Sequence, residues 1–69
     1  MTEKNIKILE EINLDSPVIE DLIRRVDNVN HGNRVEYNRA FYMGYIIGLF
    51  DTGIINDISL DSLVSEVWP

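Results

Sequence analysis

The chain has 69 residues, with six basic and twelve acidic side chains, a formal net charge of −6 at pH 7 and 45% hydrophobic residues. It contains no cysteine and a single histidine, which excludes disulfides and thiolate metal sites as sources of stability. This net charge repels phosphate backbones and argues against direct binding of nucleic acid, and this hydrophobic content argues against general disorder.

The first predicted helix starts after Thr2, whose hydroxyl can cap a helix N-terminus. Apolar residues then recur at intervals of three and four, which is the spacing of one helical face. They are Ile6, Leu9 and Ile12, with Ile8 beside them. The spacing predicts a helix from Glu3 to Asn13.

The second predicted helix is introduced by the sequence DSP at residues 15–17. Ser16 can cap this helix while Pro17 takes its first position, where the missing N–H of proline costs nothing. Its apolar stripe consists of Ile19, Leu22, Ile23 and Val26. The spacing of four residues also predicts two surface ion pairs: Glu20 with Arg24, and Asp21 with Arg25.

The segment NVNHGN, residues 28–33, separates the second helix from the third, since asparagine and glycine favour turns over helices. Asn33 followed by Glu36 resembles a capping box, which predicts that the third helix begins there. It is expected to continue to Asp51 and to stop at Gly53, a residue type that readily takes left-handed backbone angles.

A short last helix is expected, capped by Asp57 or Ser59. The residues predicted to face inward from it are Leu60, Leu63, Val64 and Val67. A short strand around Ile54 is an alternative, but it could not build a sheet alone. We therefore expect an all-α fold, a bundle of three to four short helices forming a single domain over residues 1–69, which pairs as a dimer.

The third predicted helix has apolar residues on nearly every side, so other parts of the chain or another polypeptide must cover it. Residues 40–50 form an uncharged run of 11, well short of the ~20 needed to span a bilayer. Small residues recur at every fourth position: Ala40, Gly44, Gly48 and Thr52. Each glycine costs about 1 kcal/mol relative to alanine, so a compensating close approach of another backbone is expected. Either helix 2 or helix 4 fills this groove, or a second polypeptide does, and the two can coexist on opposite flanks.

The residues expected to bind a partner fall into an aromatic and an acidic group. The aromatic anchors are Tyr37, Phe41, Tyr42, Tyr45 and Trp68. The acids expected to steer a basic partner are Asp51, Asp57, Asp61 and Glu66, because no basic residue follows Ala40. We expect a protein partner of basic charge and a homodimer, with no direct binding of nucleic acid or membrane.

No catalytic, cofactor-binding or metal-binding constellation is present in the sequence. His31 lies in a loop with no cysteine to join it, and no serine has the sequence context of a nucleophile elbow. We therefore expect a protein that is not an enzyme and carries no cofactor or metal. The lack of cysteine and of an apolar N-terminal segment favours the cytoplasm.

The segment LFDTGIINDISLDSLVSEV resembles the helical hairpins called SHOCT domains, in which a Gly-Ile turn joins two short helices. It lacks that family's Glu-Glu-aromatic start to the second helix and its later basic residue, and no function is carried over.

The whole chain, small, acidic and rich in Ile and Asn, is similar to accessory proteins of phages and mobile elements. That similarity implies a non-catalytic module that binds and inhibits or regulates a host protein. The alternatives are a nucleic-acid mimic that inhibits a DNA- or RNA-binding enzyme, a structural dimerisation module, and a helix-turn-helix regulator.

Overall fold

Four α-helices and no strand make up the computed structural model, which describes residues 1–69. The helices are α1 (Glu3–Glu11), α2 (Ser16–Asn30), α3 (Val35–Asp51) and α4 (Asp57–Val64). The predicted all-α fold is therefore confirmed, and the alternative strand around Ile54 is wrong, because Ile54 lies in the turn between α3 and α4. None of the four helices is long and apolar enough to cross a bilayer.

Two helix starts are held by side-chain caps. The hydroxyl of Thr2 accepts a hydrogen bond of 3.3 Å from the Asn5 backbone N–H, as predicted for α1. At α4 the cap is Asn56, whose amide oxygen accepts from the Ser59 N–H at 2.9 Å. The prediction of Asp57 or Ser59 as this cap was wrong by one position or more, because the extended residue that precedes the first helical turn is Asn56.

Three other helix ends differ from the sequence-based expectation. α1 stops at Glu11 and not at Asn13, which adopts a φ of 61°. α2 has Asp15 as its N-cap residue, without a side-chain cap bond, so Ser16 already belongs to the helix. Asn33 and Glu36 form no capping box, because Arg34, in left-handed conformation, is the residue before α3.

The start of α3 is stabilised by the buried side chain of Asn38. Its amide donates to the carbonyl oxygens of Asn33 and Arg34 at 3.0 and 3.1 Å, which fixes the turn that enters the helix. The end of α3 follows the prediction, since Gly53 has a φ of 77°. The helix that dominates the fold is thus fixed at both ends by specific residues.

The core contains side chains from all four helices and lies on one side of α3. Its ten members are Leu9, Ile19, Leu22, Val26, Tyr42, Ile46, Leu49, Ile55, Leu63 and Val67. α2 and α4 pack against α3, while α1 lies against α2 and α4. The bundle therefore covers α3 on its inner side only.

A polar clasp joins α1 to the C-terminal part of the chain. Asn5 donates to the Ser62 carbonyl oxygen at 3.0 Å and to the Glu66 carboxylate at 2.6 Å, and Ser62 donates back to Asn5 at 2.6 Å. The backbone N–H of Thr2 also donates to Glu66, at 2.9 Å. Burial alone would raise the pKa of Glu66, but these hydrogen bonds and the positive N-terminus outweigh it, and the pKa lies below its ordinary value.

Candidate functional site

One side of α3 faces solvent and is almost entirely apolar. We call it the outer face of α3; it consists of Tyr37, Ala40, Phe41, Gly44, Ile47, Gly48 and Asp51, all of them exposed. These residues recur at intervals of three and four, so they form a continuous stripe along the helix. The exposed fractions of Tyr37, Phe41 and Ile47 are 50%, 45% and 41%. Asp51, at the C-terminal end, is the only charged residue of the stripe.

The two glycines of the outer face make no close approach to any part of the chain. A Cβ atom placed on Gly44 or on Gly48 would meet nothing within 4 Å. The expectation that helix 2 or helix 4 fills the groove of small residues was therefore wrong, because no atom of either helix lies within 4 Å of the added Cβ atoms. No contact within this chain therefore offsets the cost of glycine in a helix at these two positions.

Thr52, the fourth small residue of the predicted groove, has a different role. Its hydroxyl donates to the carbonyl oxygens of Gly48 and Leu49 at 2.8 and 3.2 Å. Thr52 is the residue that ends α3, so its side chain satisfies carbonyl groups that the helix leaves without a partner. The groove of small residues thus comprises Ala40, Gly44 and Gly48.

Arginine side chains hold the aromatic rings at the N-terminal end of the outer face. The guanidinium carbon of Arg25 lies 3.7 Å from the centre of the Phe41 ring and 5.3 Å from that of Tyr37. Arg25 is itself oriented by bonds of 3.3 Å to Asp21 and to Asn38. Stacking of a cation on these rings restricts their motion, and a restricted side chain loses less entropy on binding.

A groove on one flank of α3 is lined by the exposed ring of Trp68. It has a volume of about 390 Å³, and its lining residues are Glu36, Arg39, Ala40, Met43 and Trp68. The guanidinium carbon of Arg39 lies 3.9 Å from the centre of the Trp68 ring, and its Nε donates to the Val67 carbonyl oxygen at 3.1 Å. Arg39 therefore fixes the indole against α3, with 55% of Trp68 exposed.

A second groove, of about 330 Å³, lies on the other flank between α2 and α3. Phe41 and the half-buried Tyr45 line it from α3, and the residues that line it from α2 are Pro17, Val18, Asp21 and Leu22. The outer face of α3 is thus bordered by two shallow depressions, one on each side.

Of the five aromatic residues predicted to bind a partner, Tyr42 is wrongly predicted, because its side chain is buried in the core. Its exposed fraction is 0%, and its hydroxyl donates to the Leu63 carbonyl oxygen at 2.7 Å. Burial raises the pKa of the Tyr42 phenol well above its ordinary value, and the negative charge of Glu66 adds to the shift. Tyr42 is a core residue that no partner can reach in this fold.

The predicted acidic residues do not form one array. Asp51, Asp57 and Asp61 are exposed, but the Asp57 carboxylate accepts a bond of 3.0 Å from the Ile58 N–H. Glu66 is engaged in the clasp with Thr2 and Asn5. No three His, Asp or Glu side chains come together in a group that could hold a metal ion.

Sequence reasoning missed several exposed apolar residues. Ile47 was not among the predicted partner-binding residues, although its spacing from Ala40 and Gly44 places it on their side of the helix. Three further large apolar side chains are exposed at the end of α3, in the following turn and at the start of α4: Phe50, Ile54 and Ile58. An apolar residue gives no sign of its orientation when the whole helix is apolar.

Comparisons with protein-family models, with curated proteins and with solved structures found no match for the chain. A proposal of function therefore depends on the geometry of the outer face of α3 and of its two flanking grooves.

Proposed function

We propose that this protein is a non-catalytic binding module and that the outer face of α3 is its interface with another polypeptide. One observation carries the proposal: an exposed apolar stripe with aromatic residues contains two glycines that contact nothing in the chain. Exposed apolar patches of this kind mark interaction sites in folded proteins. Phe41 and Trp68, whose rings stack against arginine side chains, are of residue types enriched at protein interfaces.

The finer proposal comes from size and composition. The module is an accessory protein of the phage or mobile-element type, located in the cytoplasm, and it inhibits or regulates a host protein by covering part of its surface. A small acidic chain without cysteine supports this proposal. The proposed module acts by binding and does not catalyse a reaction.

A nucleic-acid mimic is the alternative and would act through its carboxylates. It requires an ordered series of free carboxylates, whereas Asp57 and Glu66 each accept hydrogen bonds within the chain. Binding by carboxylates would weaken steeply with salt, and binding through the apolar outer face of α3 would not. Affinity measured at low and at high salt therefore separates the two.

The proposal is tested by isolating tagged protein from cells of its source and quantifying what co-purifies. The variant Ile47→Asp places a charge in the centre of the outer face, and Lys7→Asp is the control, an exposed position on α1. We expect co-purifying chains, a second untagged copy included, to be lost with Ile47→Asp and retained with Lys7→Asp. Equal retention with both variants would contradict the proposal.

A further inference from the structure

The outer face of α3 ends at the acidic Asp51, and the basic Arg34, which precedes α3, lies beside its other end. At the N-terminal end the exposed Arg34 has its guanidinium carbon 4.3 Å from the centre of the Tyr37 ring. At the C-terminal end lies Asp51. Such a surface is complementary to a copy of itself turned end for end, because each basic end then meets an acidic end. In a parallel pair, by contrast, Arg34 would meet Arg34 and Asp51 would meet Asp51.

We infer that the occupant of the outer face of α3 is a second copy of this chain, packed antiparallel with Gly44 of both copies at the crossing point. The inference rests on the proposed function and names the partner of that interface. A two-fold axis relates the copies, so every contact occurs twice. Gly44 is the midpoint of the stripe that runs from Tyr37 to Asp51.

Antiparallel packing about Gly44 places large side chains against small ones. An α-helix turns about 100° and rises about 1.5 Å per residue, so Phe41 and Gly48 lie on the same side of the stripe, about 4.5 Å before and about 6 Å after Gly44. Reversing the helix direction brings Phe41 of one copy to the level of Gly48 of the other. On the opposite side of the stripe the same operation brings Ile47 to the level of Ala40.

The groove beside Trp68 can receive a side chain of the second copy. Ala40 lies at its edge, and Met43 and the Trp68 ring form its apolar lining. Ile47 of the second copy, at the level of Ala40, would enter this groove and cover the exposed indole. The arrangement thus buries Ile47 and Trp68, two of the large apolar side chains that a single chain leaves in water.

The two ends of the outer face of α3 also carry complementary polar groups. Tyr37 and Asp51 are each seven residues from Gly44, so Tyr37 of one copy comes to the level of Asp51 of the other. The Tyr37 hydroxyl can then donate to the Asp51 carboxylate across the interface. Arg34 brings a positive charge to the same end. The exposed Glu36 brings a negative charge to this end as well, and Arg34, two residues before it, offsets that charge.

Sedimentation of the purified protein from about 1 μM to about 1 mM, the range in which weak self-association is resolved, tests the inference. We expect the mass to rise from 8.0 kDa to twice that value. Gly44→Leu keeps the fold, since leucine is the better helix former and nothing lies within 4 Å of the added Cβ. It weakens self-association at least about tenfold, because the helices can no longer approach. The control Glu10→Leu, at an exposed position on α1, behaves as the wild type.

A wild-type chain that stays at 8.0 kDa throughout the range overturns the second copy as occupant. A dimer that Gly44→Leu leaves intact overturns the interface. Neither result decides the proposed function, which fails only if Ile47→Asp retains every co-purifying chain.

Single cysteines test the orientation, since the chain has none of its own. In an antiparallel pair, Tyr37→Cys and Asp51→Cys form a mixed disulfide when the two variants are combined with oxidised glutathione as the oxidant. Neither forms a disulfide with itself, because identical positions are then about 21 Å apart along the axis. Disulfides within each variant alone, and none in the mixture, would overturn the antiparallel arrangement.

Discussion

The hydroxyl of Tyr42 donates a hydrogen bond of 2.7 Å to the carbonyl oxygen of Leu63, which joins α3 to α4 inside the core. Both side chains are completely buried. The same carbonyl oxygen accepts a longer bond of 3.3 Å from the Glu66 N–H. The bond from Tyr42 therefore satisfies a polar group inside the core, because a phenol hydroxyl that is buried needs a partner.

Tyr42→Phe should lower the free energy of unfolding by about 1 kcal/mol, the usual net contribution of a buried hydrogen bond. The loss stays small because the Leu63 carbonyl keeps its bond from the Glu66 N–H. Chemical denaturation followed by circular dichroism measures the change. Tyr45→Phe, at a half-buried tyrosine, is the matched control and should alter stability little. If both variants matched the wild type, the Tyr42 bond would have no energetic role.

Gly44→Ala and Gly48→Ala should each raise the free energy of unfolding of the isolated chain by about 0.5–1 kcal/mol, because alanine is the better helix former. Neither added methyl group meets an atom within 4 Å. The measurement is thermal unfolding at high dilution, where association does not contribute.

The control for these two substitutions is Gly53→Ala. Gly53 has a φ of 77°, a conformation that alanine adopts only with strain, so this variant should lose about 1 kcal/mol. Equal effects at all three glycines would contradict the assignment of Gly44 and Gly48 to an open helix surface.

Acid should weaken the clasp between α1 and the C-terminal part of the chain. The pKa of Glu66 is lowered in the folded state, so its contribution to stability is present above the ordinary carboxyl pKa and is lost as the pH falls through the lower, folded value. Glu66→Gln should be less stable than the wild type by about 1 kcal/mol at pH 7, and this difference should shrink in acid.

Denaturation of both proteins between pH 7 and pH 3 measures that difference. Glu10→Gln, an exposed position on α1 that takes no part in the clasp, provides the comparison. A difference between wild type and Glu66→Gln that stays constant over this range would rule out the carboxylate charge as its source.

Arg39→Ala should release the Trp68 ring, because the variant removes both the guanidinium at 3.9 Å and the bond to the Val67 carbonyl oxygen. We expect greater quenching of tryptophan fluorescence by acrylamide and a loss of about 1 kcal/mol in stability. Trp68 is the only tryptophan in the chain, so the signal has one source. Arg24→Ala removes only an exposed pair with Asp21 and should change neither measurement.

The positions of the helices could be predicted from the sequence because local signals set them. Thr2 and Gly53 act as their residue types predict, at the start of α1 and the end of α3. The capping pair of Asn33 and Glu36 failed because Arg34, with a φ of 45°, and not Asn33 is the residue that directly precedes α3. The sequence gives no sign of this conformation, because arginine rarely adopts a positive φ.

The side of α3 that faces solvent could not be predicted in the same way. Tyr42 and Phe41 are neighbours of similar character, yet one is buried and the other is exposed. The choice between them depends on Leu63, which is 21 residues away from Tyr42 in the chain. A helix with apolar residues on every side has no polar stripe to mark its orientation, so only the packing of α2 and α4 determines it.

Because one chain completes its own core, pairing through α3 would not require unfolding of either copy. Monomer and dimer would then exchange freely, and their ratio would follow the rate at which the cell makes the protein. Shortly after synthesis, single molecules would expose this apolar helix surface, and another abundant protein of complementary shape could compete for it. The level of expression would thus determine whether this surface is free to bind another protein or is already buried between two copies.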